Sequence, residues 1–316
     1  MNRHRTSLIM GILLGFASAQ ADTNSWVDAT MLRLDAMDFD FSRSQSDIPF
    51  QPVMALSLRA YGKTEFQRVE GDVDVAGAFR TRSASAYAAV PLYIGEQGFA
   101  LAVPYVGYTQ FHFVEGGPSD EDVTSVYLPL ATLWQTDRGN QWGVFVMPST
   151  YSPLQGDGAW AWSGMGGMMG RHLSGERLVW YYGAVYDYSF SDGYTLPYVG
   201  FTYNVDPSLS VAMIAPWPSV NYAPNNRFFL RVGVAPSGAS WAIEQEGNDK
   251  QAITSFGGWD LGVWANWRIS KATWCSVGGG VSGLRSLEID PDGDVLFEQD
   301  TSDEPWISVT WSVRPP

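Results

Sequence analysis

The 316-residue chain has a single cysteine, Cys275, and its charged residues make up only 16%, well under the roughly 25% of an average soluble domain. Lysine occurs only at Lys63, Lys250 and Lys271. Each shortage excludes something. One thiol cannot close an internal disulfide, so a disulfide-stapled scaffold is out. Nineteen scattered bases against 33 acids leave a net charge of −14, which argues against nucleic-acid binding, since phosphate would be repelled. Long helical spans are missing too. The longest uncharged run, residues 207–226, carries Pro207, Pro216, Pro218 and Pro224, and each removes a helical donor and clashes with the preceding turn. Without such helices, a closed β-barrel is the remaining way across a bilayer.

What the sequence has in quantity is aromatic residues, 14 Trp, 15 Tyr and 16 Phe, together with 33 Gly. So many rings argue against a disordered chain. Residues 1–21 read as a secretory signal, with Arg3 and Arg5, an apolar stretch from Leu8 to Ala17 and the small-residue exit Ala19-Gln20-Ala21. The apolar stretch is about ten residues, too short to span a bilayer. The expected organisation is a signal peptide (1–21), an N-terminal extension or extra strand (22–51), and a barrel (52–316).

From about Val53 onward the hydrophobic period is two. Between Gly258 and Ile269, one face reads Trp259, Leu261, Val263, Ala265, Trp267 and Ile269, and the other Gly258, Asp260, Gly262, Trp264, Asn266 and Arg268. That is a strand with one apolar and one largely polar face. Trp259 and Trp267 are eight positions apart, roughly 26 Å along a strand. Tilted by about 40°, the pair spans roughly 20 Å, close to the approximately 25 Å apolar band between the aromatic girdles of outer-membrane barrels. Phe228–Val234, Trp306–Val313 and Ser83–Tyr93 alternate in the same way.

The alternation predicts fourteen strands, at 52–62, 74–94, 99–113, 123–135, 141–152, 160–172, 178–190, 194–205, 209–216, 227–235, 240–246, 255–269, 273–287 and 305–313. Short turns then follow the even strands, Pro236 to Ala239 among them, and longer links follow the odd ones. Ser191 to Gly193 is the one short exception. This parity puts both chain ends on one side, as a barrel with short periplasmic turns requires. Pro91, Pro104, Pro129, Pro148, Pro197 and Pro216 fall in or beside these strands, and each removes a ladder donor, so they are expected at rims or bulges.

The stretch Pro197-Tyr198-Val199-Gly200-Phe201-Thr202-Tyr203-Asn204, the later Pro216-Trp217-Pro218-Ser219-Val220-Asn221-Tyr222, the signal segment and the Gly- and aromatic-rich strands together resemble an uncharacterised family of outer-membrane β-barrel proteins of Gram-negative bacteria. The resemblance covers roughly residues 52–313. It implies a fold and a compartment, and no catalytic residues.

Several constellations bear on chemistry. Glu288, Asp290, Asp292, Asp294, Glu298, Asp300, Asp303 and Glu304 form an acidic external loop, joined by Glu115, Asp120, Glu121 and Asp122 from another. This rim would gather divalent cations. Asp290, Asp292 and Asp294 sit around a Gly turn in a pattern suited to Ca²⁺, but Thr301 stands where an EF-hand has its bidentate Glu, so a solvated loop is the better reading. His172 and Ser174, with Glu176 able to orient the ring, have the spacing of the His-x-Ser of some outer-membrane lipid hydrolases; a polar turn is the simpler account. His112, between Phe111 and Phe113, reads as a lumen or girdle residue. Cys275 reads as a small apolar side chain. Gly278-Gly279-Gly280 lacks a P-loop lysine and reads as a site of close packing. Arg59, Arg231, Arg268 and Asp260 fall on inward faces, where they would pair across a narrow lumen or line a wider pore.

The sequence therefore describes an all-β, antiparallel transmembrane β-barrel of about 12 to 14 strands, located in the outer membrane and in contact with its lipid. The expected function is a passive pore, a small-solute binding barrel or a structural envelope protein, not an enzyme. No catalytic residue, metal ligand or cofactor is assigned, and the binding residues are undetermined. The alternatives are a secreted or periplasmic soluble β-protein that stacks carbohydrate on its rings and an outer-membrane hydrolase using His172 and Ser174.

Overall fold

The computed structural model describes residues 29, 32–33, 36–38, 52–70, 73–115, 121–137, 139–153, 160–188, 194–244, 251–290 and 297–314. Eighteen strand segments make up the wall. The first eight are β1 (Met54–Glu70), β2 (Val73–Ala88), β3 (Val90–Ile94), β4 (Gly98–Ala102), β5 (Tyr105–Glu115), β6 (Glu121–Tyr127), β7 (Leu130–Asp137) and β8 (Asn140–Pro153). Next come β9 (Ala161–Ser174), β10 (Leu178–Tyr188), β11 (Tyr194–Asp206), β12 (Leu209–Ala215) and β13 (Ser219–Asn225). The last are β14 (Phe228–Glu244), β15 (Gln251–Arg268), β16 (Thr273–Asp290), β17 (Phe297–Thr301) and β18 (Glu304–Val313).

Four pairs of segments, β2/β3, β4/β5, β6/β7 and β17/β18, are consecutive halves of one stave, so the eighteen segments form 18 − 4 = 14 staves. Every pairing is antiparallel, and β1 pairs with β18 from Met54↔Val313 to Tyr61↔Trp306, which closes the sheet. Closure removes both edges, the condition for a sheet to stand in lipid. Short turns of two to four residues, such as those after Ile94, Asp137 and Arg268, gather at the end where the barrel chain enters and leaves.

Two expected strand limits need correction. Residues 227–235 and 240–246 are one continuous strand, β14, and Pro236–Ala239 is not a turn. Ser219–Asn225, left between the expected strands 209–216 and 227–235, is the strand β13. The two errors cancel, so the total stays at fourteen. The reason lies in the unequal heights of the wall. Pairing of β13 with β14 stops at Ser219↔Gly233, and above it β14 pairs only with β15. Pro236 therefore sits on an unpaired edge, where its missing N–H costs nothing. Pro197 does the same on β11, whose pairing with β12 stops at Val199↔Ala215.

Three other prolines lie on one seam. Ala88 donates to the carbonyl of Pro104, Val103 to that of Pro129, and Leu128 to that of Pro148, at 3.2, 2.8 and 3.0 Å. The seam crosses four neighbouring staves at the breaks β2/β3, β4/β5 and β6/β7.

The outer face carries an apolar belt. Leu58, Leu261, Val263, Ile307 and Val309 are exposed there, a belt that would promote association in water and that lipid covers. Aromatic residues crowd it near the short turns. Trp142 meets Tyr182 edge-on at 5.3 Å, with Gly170 between them in register. Phe228 packs on Trp267 at 5.7 Å. Inside, toward the same end, Ala223, Phe229 and Trp274 form a buried apolar layer. Of residues 22–51, the described part holds one helical hydrogen bond, Ala36 N–H to the Leu32 carbonyl, and the Asp38 carbonyl accepts from Gln135 Nε2 on β7.

Candidate functional site

The lumen wall carries two strips of polar and aromatic side chains, both set by alternation. The first runs over β14, β15, β16, β18 and β1. Arg231 lies opposite Trp264, which lies opposite Gly278, then Ser308, then Arg59. One row toward the longer loops come Gly233, Gly262, Gly280, Trp306 and Tyr61. Because the glycines leave no side chain, Trp264 and Trp306 lie over the bare strands with ring centroids 5.2 Å apart. A Cβ on Gly262 would collide with the Trp306 ring, and one on Gly278 with the Trp264 ring. Of Gly278-Gly279-Gly280, Gly278 makes room for a ring and Gly280 for the neighbouring Leu261 backbone, so close packing holds at these two.

Both ends of this ring pair are capped by guanidinium groups. Arg59 sits 5.2 Å from the Trp306 centroid and Arg231 5.6 Å from that of Trp264, each contact worth about 0.5–2 kcal/mol. Arg59 also donates from Nη1 to Asp260 Oδ2 at 2.7 Å, and Tyr61 donates its hydroxyl to the same oxygen at 3.0 Å. Asp260 is fully buried, and its Oδ1 has no hydrogen-bond partner among the described residues. Thr64 donates to the neighbouring buried carboxylate of Glu304. The expected pairing of inward charges is thus present, though along the curved wall instead of across the bore.

The second strip is a tyrosine ladder. Tyr87 on β2 lies opposite Tyr105 on β5, and Tyr105 opposite Tyr127 on β6. Tyr105 and Tyr127 stack at 4.8 Å, and Tyr127 meets Tyr151 of β8 edge-on at 5.7 Å. Ser85, Ser125 and Ser149 stand among them on the same face. Six staves around from β8, β14 approaches β8 to within 8 Å between Cα atoms. The bore therefore narrows there.

At the short-turn end, Arg314 follows β18, stacks over Trp274 at 5.4 Å and donates to Asn266 Oδ1 at 3.0 Å. Burial pulls its guanidinium down to about 10, so it remains a cation at neutral pH. Arg268 does not line the lumen. It turns onto the carbonyls of Ser270 and Lys271 and caps the turn.

The remaining expected residues stand apart from the lumen. His172 is exposed on the outer face, opposite Trp180, with Nδ1 2.7 Å from Asn140 Oδ1. Its partner is thus a side chain on β8, while Ser174 ends β9 and Glu176 lies in the turn, both exposed. His112 is also exposed on the outer face. Cys275 is a half-buried free thiol on that face, in register between Trp267 and Trp311. Asp292, Asp294 and Asp120 lie outside the described residues. Among the described residues no group of three or more metal-ligating side chains gathers.

Sequence reasoning placed Arg59, Arg231 and Asp260 correctly but left out the tyrosine ladder and the paired tryptophans. The available signal was an aromatic on the polar face of an alternating strand, as Trp264 is in Gly258–Ile269.

No protein-family model and no curated protein matches the chain. Among solved structures it is similar to a Pseudomonas aeruginosa FadL homologue, at 7% identity and TM-score 0.43 over 85% of this chain and 91% of that one. It is also similar to the P. putida toluene transporter TodX, at 10% and 0.36 over 86% and 92%. A third is the translocator domain of the autotransporter NalP from Neisseria meningitidis, at 11% and 0.33 over 92% and 97%.

Proposed function

We propose that the protein is an outer-membrane channel through which small solutes pass passively and selectively. The observation that carries this reading is the way the inner wall is furnished. Trp264 and Trp306 lie over glycine-bare strands, and Arg59 and Asp260 pair along the wall, so the largest side chains of this strip are held against the wall. A purely structural barrel would gain more by packing its interior with large apolar side chains. The tyrosine ladder on the adjoining staves adds flat rings with hydroxyl edges, which suits small solutes carrying both an apolar face and a hydrogen-bonding group. Passage past the narrowing at β14 and β8 favours small size over high flux.

The test is reconstitution in planar bilayers and in liposomes, with heat-modifiable gel migration as the check that the barrel is folded. Small discrete conductance and uptake of small neutral solutes are expected. A folded barrel that shows neither would leave a structural envelope role in its place.

A further inference from the structure

The outer face carries a feature that lumen transport does not use. Along the stave made of β2 and β3, the outward residues from Ala84 through Ala86, Ala88 and Val90 to Leu92 are all apolar. Next come Arg82 and Arg80, both exposed and both on the face shared by Ala60 and Ile307. From Leu92 to Arg82 is ten residues. At roughly 3.3 Å per residue and a tilt of about 40°, that is roughly 25 Å, the height of an apolar membrane band. The two arginines therefore stand at the outer edge of the band, on the side of the longer loops.

Arg80 lies opposite His112 and Arg82 opposite Gln110, and Lys63 faces Arg80 from the other side. The two arginines, Gln110 and His112 line an open cavity of about 300 Å³. Neighbouring staves are about 4.8 Å apart and successive outward residues about 6.6 Å, so four donor side chains converge on a patch the size of one phosphate group. Neither arginine has a hydrogen-bond or ion-pair partner among the described residues. Of the nearby acids whose side chains are described, Glu65 is paired with Lys63 at 3.5 Å, and Asp122, opposite Gln110, is buried and has an interaction of its own. An unpaired arginine on a lipid-facing strand costs up to about 2–4 kcal/mol at the midplane and little at the interface, provided an anion meets it there.

A second cavity, of about 400 Å³, begins at Arg82 and runs down the apolar face over Leu58, Ala60, Ala84, Tyr108, Ile307 and Val309. Cationic head and greasy trough are continuous, sharing Arg82 and Gln110.

We propose that this is a docking site for one phosphorylated lipid of the outer leaflet, its phosphate held by Arg80, Arg82, Gln110 and His112 and one acyl chain lying in the trough. Guanidinium forks match phosphate oxygens in pairs. In a chain of net charge −14, such a cationic outward patch is complementary to an anionic headgroup. The assignment rests on the outer-membrane reading of the barrel.

The test is native mass spectrometry of the refolded mature protein released from nanodiscs holding phosphatidic acid or phosphatidylcholine with the same acyl chains, and diphosphoryl or monophosphoryl lipid A. Wild type is expected to retain the phosphate-monoester lipids in preference to phosphatidylcholine. The double variant R80Q/R82Q should lose that preference by about tenfold, roughly 1.4 kcal/mol, with gel migration and conductance unchanged. R80K/R82K, which keeps the charge without the fork, should fall between. Equal retention of all lipids by wild type, or no change in R80Q/R82Q, overturns the proposal. So does complete displacement of the lipid by excess inorganic phosphate, which would make this a free-anion site. A protein that inserts and conducts but shows no lipid preference sinks only this site; one that fails to insert sinks the membrane reading itself.

Discussion

Replacing Arg59 is expected to destabilise the barrel more than replacing Asp260, although the two residues make the same ion pair. The asymmetry comes from their surroundings: the Asp260 side chain is 0% exposed and the Arg59 side chain 24%. In Arg59→Met the enclosed carboxylate keeps only the Tyr61 hydroxyl as a bonded partner. Breaking a buried pair in that way costs about 3–5 kcal/mol. In Asp260→Ala one charge-assisted bond is lost, about 1.5–3 kcal/mol, and one from Tyr61, about 1 kcal/mol. Against this, a buried carboxylate whose Oδ1 has no hydrogen-bond partner among the described residues disappears, which returns about 1–3 kcal/mol of desolvation. Arg59 still has lumen access and the Trp306 face. The net cost is about 1–2 kcal/mol. The double variant should be milder than Arg59→Met alone, because no orphaned carboxylate remains. The assay is urea unfolding in lipid vesicles followed by tryptophan fluorescence, with gel migration as a folding check. Equal costs for the two single variants, or a double variant worse than either, would refute the reasoning.

Three further outcomes follow from the geometry. Gly278→Val should displace the Trp264 ring and cost about 1–3 kcal/mol by overpacking, visible as a changed near-ultraviolet circular dichroism spectrum; an unchanged spectrum would mean the ring does not rest on that strand. Trp306→Ala should raise single-channel conductance, since it removes one of the two rings of the pair without touching a ladder hydrogen bond. Cys275, facing outward between Trp267 and Trp311, should react in bilayers with an apolar maleimide and resist a membrane-impermeant sulfonated one; equal labelling by both would place it in water.

How much was legible in advance depended on whether a residue's surroundings are local in sequence. The face of Asp260 could be read from its own strand, because Leu261 and Val263 flank a period of two. Its contact with Arg59 could not, since the two are 201 residues apart and meet only because β18 pairs with β1. Proline misled in one respect. Pro218 and Pro224 hid the strand β13, and Pro236 suggested a turn, because a missing donor looks the same in sequence whether it breaks a ladder or lies on an edge that has none. Arg80 and Arg82 sat in plain view within an alternating strand, and their meaning came only with the neighbouring stave, which sets His112 and Gln110 beside them.

The seam through Pro104, Pro129 and Pro148 has a mechanical consequence. Where a stave is laddered on both flanks, the wall resists bending like corrugated board across its flutes. Along this diagonal each of three prolines accepts one cross-stave hydrogen bond and can donate none, because a proline nitrogen carries no hydrogen. The wall is scored there. A load on the loops above β2 to β8 will fold it along that line before it opens any fully laddered pair, and the crease will bring the tyrosine ladder, which borders the seam at Tyr105 and Tyr127, with it.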